Sequence, residues 1–257
     1  MKKLTLLLST VLILFVGVGA VRGANLTLMG TVRDFNDTHP DFEKENEFDP
    51  GIVQATLGGD KKPVYAGQEG NPTTHGQAAF DQWYRNVPGV NLSTPLTIIL
   101  ENSVPTPNIY TYANGAFFPI DGMLLGNQDR PHNYHFTLEV HSRFTYQGGE
   151  LFNFTGDDDL WIFINNQLAL DLGGLHGAMS GSVNFDQQAA SLGILIGNEY
   201  DFDLFFAERH TWGSNLFIDT SIILTPVPEV PLPSTVLLLA TGLLGLLALR
   251  HRRLAHA

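Results

Sequence analysis

Apolar and polar residues alternate with a period of two over residues 133–146. Tyr134, Phe136, Leu138, Val140, Phe144 and Tyr146 share one face, broken only by Ser142. Asn133, His135, Thr137, Glu139, His141, Arg143 and Thr145 share the other. Such a period belongs to a sheet with one buried face. It recurs at Tyr200, Phe202, Leu204 and Phe206, and again at Leu216, Ile218, Thr220, Ile222 and Leu224, which predicts a long final strand. Residues 160–164 are instead continuously apolar, β-branched and aromatic, and turn-forming residues bound them, as expected of a strand buried on both faces. Asn165-Asn166 then makes a turn, and Leu168, Leu170 and Leu172 start the return strand. Further strands are expected at 27–35 and 96–100, with a hairpin about Asn114-Gly115 joining 110–112 to 116–118. One helical turn fits within 78–84, while 36–51 and 58–76 read as irregular loops. Between the two ends no segment sustains helical spacing. The pattern therefore predicts an all-β sandwich or closed barrel.

The ends differ from this body. Lys2 and Lys3 precede an apolar run over 4–16 and then Gly17-Val18-Gly19-Ala20, the layout of a secretory signal peptide ending by about residue 24. At the other end a Pro-rich stretch, 226–235, leads into an apolar segment over 236–249 and then Arg250, Arg252 and Arg253. Counted back to about residue 233, this is a short membrane span. Its basic tail would stay cytoplasmic and its large domain outside. The arrangement resembles a PEP-CTERM sorting signal (227–257), with Leu232 where the most familiar form has Glu. The resemblance implies an exosortase-type processing enzyme as a partner and transient anchoring through a transmembrane helix. One domain, 25–226, remains.

Charge narrows the partners of that domain. From Asn25 to Glu229 eight basic residues stand against 26 acidic ones, a net charge of −18. Nucleic acid and anionic lipid headgroups are poor ligands for such a surface. The absence of cysteine excludes disulfides, thiol catalysis and thiolate metal sites. Asp34, Asp37, Asp41, Glu43 and Glu45 read as a solvated acidic loop. On the alternating strand, His135 lies about 13 Å from Glu139, too far for His135, Glu139 and His141 to share a metal.

Asp157, Asp158 and Asp159 stand together where the chain enters the apolar strand 160–164, which pins three carboxylates to the rim of a sheet. Three neighbouring carboxylates repel one another unless protons or a cation neutralise them, and calcium suits an oxygen-only, carboxylate-rich loop. A solvated acidic loop is the other reading of these residues. The run 155–174, TGDDDLWIFINNQLALDLGG, resembles the signature of the fibro-slime domain, a branch of the protective-antigen family of β-sandwich carbohydrate-binding modules. Blocks at 30–35, 80–85, 117–121, 206–211 and 214–215 match in the same order. The resemblance implies a protective-antigen-like β-sandwich in which Asp157 and Asp158, joined by a cis peptide, hold calcium with Asn215. It also implies a bound sugar that meets the ion, Trp212 and Asp159. Against that reading, Asn215 also suits a strand cap and Glu208-Arg209 an ordinary surface ion pair.

The function expected is an exported, surface-associated, calcium-dependent carbohydrate-binding or adhesion protein acting on extracellular polysaccharide. The alternative is a matrix or biofilm protein whose calcium is purely structural. Enzymatic readings find little purchase. No EF-hand loop, nucleophile elbow, Walker loop or dinucleotide loop is present. Glycoside hydrolysis, a third possibility, needs two carboxylates in different environments, and nothing in the sequence selects a pair.

Overall fold

The computed structural model describes residues 24–45, 47–102 and 109–227. The expected membrane helix, and all but the last residue of the expected signal peptide, lie outside them. Strands β1 (Leu26–Phe35) and β2 (Glu47–Phe48) are followed by helix α1 (Gln77–Phe80), β3 (Asn91–Asn102), β4 (Tyr110–Asn114) and β5 (Phe136–Thr145). Next come β6 (Leu151–Asp157), β7 (Asp159–Ile164), β8 (Gln167–Leu172), β9 (Gly174–Leu175) and β10 (Met179–Asn184). Helix α2 (Phe185–Leu192), β11 (Glu199–Glu208), β12 (Asn215–Thr220) and β13 (Thr225–Pro226) complete the order. Among the described residues no helix is long and apolar enough to cross a membrane.

The main sheet runs β10-β6-β12-β4-β3-β1-β5-β11-β7-β8, with β13 added to β5. Its two end strands meet, since Gly181 of β10 lies against Leu170 and Leu172 of β8. The sheet thus curls into a nearly closed barrel, and the all-β expectation holds. Inside it pack Val32, Phe136, Leu138, Val140, Phe154, Leu160, Ile162, Phe202, Leu204, Phe206, Leu216 and Ile218.

A second core explains the unbroken apolar run. Every residue of β7 is buried. Leu160, Ile162 and Ile164 face the barrel, while Trp161 and Phe163 face outward beneath Ile52, Val53, Leu57, Phe80, Trp83 and Tyr84. The irregular excursion between β1 and β3 is therefore a lid of aromatic side chains over β7 and β11. Full burial of each such ring stabilises by about 1.5–3 kcal/mol. The lid also covers the polar face of β5, where Thr137 and Glu139 are buried, so the one-sided sheet expected for residues 133–146 is covered on both sides there.

Three local expectations change. The Asn114-Gly115 hairpin does not form. Asn114 accepts the Ala116 N–H in a side-chain turn, Phe117 donates its N–H to Ser214, and β4 pairs with β12 instead. The last strand ends at Thr220, whose hydroxyl accepts the Ile222 N–H and turns the chain out of the ladder. Helix α2 is additional, started by the Asn184 side chain accepting the Gln187 N–H and stopped by Gly193 at φ 65°. The Asn165-Asn166 turn forms as expected, both residues having positive φ.

Candidate metal and ligand site

β6 ends at Asp157 and β7 begins at Asp159, and the Asp157-Asp158 peptide between them is cis. Asn215 opens β12 directly opposite Asp157 in the ladder. Its backbone N–H donates to Asp157 Oδ1, and its side-chain amide donates to Oδ2 at 2.8 Å. The strands approach so closely here that a Cβ on Gly156 would lie 2.5 Å from the Asn215 carbonyl oxygen. Asp158 accepts backbone N–H groups from His176 and Arg209, each at 3.0 Å. Asp157, Asp158 and Asn215 thus come together at one end of the barrel.

Asp157 and Asp158 line a cavity of about 170 Å³ with His176, Gly177, Glu208, His210, Trp212 and Gly213. At roughly 30 Å³ per water, that space suits an ion with part of its hydration shell. Trp212 stands on its rim with 84% of its surface exposed. Glu208 is 1% exposed, its Oε1 accepts the His210 N–H, and its buried Oε2 has the Ser214 hydroxyl as its neighbour. Among the described residues no three His, Asp or Glu side chains close into a ready-made metal cage. The cavity nevertheless gathers the carboxylates of Asp157, Asp158 and Glu208. The donor set fits a hard, oxygen-seeking ion.

The electrostatics point the same way. Burial pushes the Asp158 carboxyl up to about 8, against the pull of Arg209. Burial also raises Asp157, and it drives Glu208 well above the usual carboxylate range, reinforced by Asp158 and Asp157. Three desolvated carboxyls share one small space.

Asp159 does not line this cavity. It lies wholly buried on the opposite face of the sheet, accepting from Arg209 Nε at 2.6 Å, from Nη2 at 3.1 Å and from the Gly174 N–H at 2.7 Å. The expectation that Asp159 contacts a ligand is corrected on that ground. Glu208-Arg209 is likewise no surface ion pair. Both are buried, and adjacent residues on a strand point to opposite faces. Period two could have located Glu208, because it continues the inward series Phe202, Leu204, Phe206. The sequence reading also missed His176 and His210.

The acidic stretch after β1 is not a solvated loop throughout. Asp34 and Asp41 are fully buried, and Asp41 accepts the Trp83 indole N–H at 3.0 Å and the His75 N–H. His135, Glu139 and His141 have separate partners, namely Glu43, Arg33 with Lys62, and Asp203.

Comparison with known proteins bears on this arrangement. Residues 119–227 match the PA14 domain, and residues 226–253 match the PEP-CTERM protein-sorting motif. Protein psiR of Dictyostelium discoideum is 40% identical over 239 residues, covering 86% of this chain and 24% of psiR. Protein psiC of the same organism is 39% identical over 220 residues, covering 79% of this chain and 42% of psiC. The chain spans less than half the length of these curated relatives. Among solved structures, a PA14 sugar-binding domain from an RTX adhesin aligns over 77% of this chain and 91% of its own, at 10% identity and a TM-score of 0.31. The A domain of epithelial adhesin 6 from Candida glabrata, in complex with Galb1-3GlcNAc, aligns over 79% and 81%, at 13% identity and a TM-score of 0.33.

Proposed function

The chain carries a PA14 domain followed by a PEP-CTERM sorting motif, and from that premise we propose that it is an exported surface protein that binds extracellular carbohydrate through calcium. One observation carries the reading. The cavity holding Asp157, Asp158 and Glu208 opens beside a tryptophan that is almost fully exposed. The residues that form it lie within 119–227, the part that matches the PA14 domain.

Asp157 and Asp158 present the oxygens that would hold the ion. Asn215 fixes Asp157 through two hydrogen bonds. When bound, calcium supplies open coordination positions that the hydroxyls of a sugar can fill. Trp212 supplies a flat apolar face for the sugar's C–H groups, and the narrow cavity limits how much of the glycan enters. These groups position and bind; the reading assigns them no bond-breaking role. The sorting motif supports an exosortase-type enzyme as processing partner.

Glycan-array binding with and without a chelator tests the proposal. Binding that disappears on chelation supports it. Calcium stabilisation without binding to any glycan would favour the matrix-protein reading, and reducing ends released from a polysaccharide would favour a hydrolase.

A further inference from the structure

We propose that Glu208 is a further anchor of the cation, reaching it from the floor of the cavity through one bound water. This deepens the calcium reading above and rests on it. The geometry is specific to this side chain. Glu208 closes the inward-facing series of β11, so its carboxylate projects into the end of the barrel instead of into solvent. Oε1 is occupied by the His210 N–H, whereas the buried Oε2 has the Ser214 hydroxyl as its neighbour and, among the described residues, no cation. His210 Nδ1, on the same wall, is a buried atom lacking a partner.

Buried polar atoms are paired in the great majority of cases, and a buried carboxylate without a cation is costly. Arg209 cannot serve, because its guanidinium is on the opposite face, held by Asp159 and by the carbonyls of Asp41 and Thr73. A water on the cation answers both needs. It donates to Glu208 Oε2, and its second proton faces His210 Nδ1. Calcium commonly keeps water among its oxygen ligands. Partners that orient a metal's immediate ligands are typically worth 10–100-fold in affinity.

The test is calcium titration of the metal-stripped protein by calorimetry, comparing wild type with Glu208→Gln and with the exposed control Glu199→Gln. Glu208→Gln should weaken calcium binding at least tenfold, and Glu199→Gln should leave it unchanged. Equal affinity in wild type and Glu208→Gln overturns the role of Glu208 while leaving the calcium site standing. A wild type that binds no calcium overturns both. Should Glu208→Gln fail to fold, the wild type with ¹³C-labelled glutamate still decides the matter. Calcium should then move a buried glutamate carboxyl resonance, and no such movement overturns the inference.

Discussion

Arg209 and Asp159 form a two-pronged ion pair, Nε to Oδ2 at 2.6 Å and Nη2 to Oδ1 at 3.1 Å, with both side chains wholly shut off from solvent. The guanidinium also lies 4.5 Å from the Trp83 ring centre and donates to the carbonyls of Asp41 and Thr73. One arginine therefore ties the rim of β7 to the aromatic lid. The third aspartate is structural, and it leaves its two predecessors free to face the cavity.

Removing one member of such a pair leaves an uncompensated buried charge. Arg209→Ala should cost about 3–5 kcal/mol, whereas Arg209→Met combined with Asp159→Leu should recover much of that loss. Urea denaturation measures both. Equal stability of Arg209→Ala and wild type would show that the pair does not hold the lid.

Much of the barrel was legible because β-strands state their faces with period two, and β5, β8, β11 and β12 all do so over several residues. The Asp157, Asp158 and Asn215 grouping was legible through its resemblance to a known signature. What stayed hidden is three-dimensional. Nothing local marks Arg209 as the partner of Asp159, 50 residues away, or Trp83 as the cover of Trp161. Asp41 looked solvated because its partners, the Trp83 and His75 N–H groups, lie 42 and 34 residues on. Asn114-Gly115 failed as a hairpin because a more distant strand, β12, takes its hydrogen bonds.

Asp34 gives the fold a pH dependence apart from the cavity. It is fully buried, and Oδ2 accepts the Leu125 N–H at 2.7 Å. Burial pushes its carboxyl up to about 6. Between the unfolded value near 4 and this folded value, the native state holds more protons than the unfolded chain, so stability falls as pH rises through that window. The loss should reach about 3 kcal/mol above it. The stability difference between Asp34→Asn and wild type, measured in chelator at pH 4 and pH 7, should shift by about that amount in favour of the variant. A difference that stays flat with pH would remove Asp34 as the cause.

The sorting motif predicts the ends of the secreted form. Mature protein should lack residues before about 24, and in a strain with an exosortase it should also lack residues 236–257. Intact-mass spectrometry of the secreted protein reads both ends at once. Recovery of the intact carboxyl-terminal peptide from such a strain would mean a plain membrane anchor.

The metal and glycan contributions of the cavity should separate by mutation. Asp158 is deeply buried and its two oxygens already accept the His176 and Arg209 N–H groups, so it belongs to the ion-holding part. Trp212 is almost fully exposed at the rim, so it belongs to the sugar-facing part. Calcium at 100 times its dissociation constant should stabilise the wild type by about 2.7 kcal/mol, because only the folded arrangement holds it. Asp158→Asn should abolish that gain along with glycan binding. Trp212→Ala should keep the calcium gain and change stability by less than about 0.5 kcal/mol, yet lose roughly tenfold in glycan affinity, ~1.4 kcal/mol. Asp219→Ala, exposed on β12 away from the cavity, should change neither. Thermal unfolding with and without calcium, run beside glycan titrations, measures all four proteins. Calcium stabilisation that survives Asp158→Asn unchanged would place the ion elsewhere, and full glycan affinity in Trp212→Ala would place the sugar away from this rim.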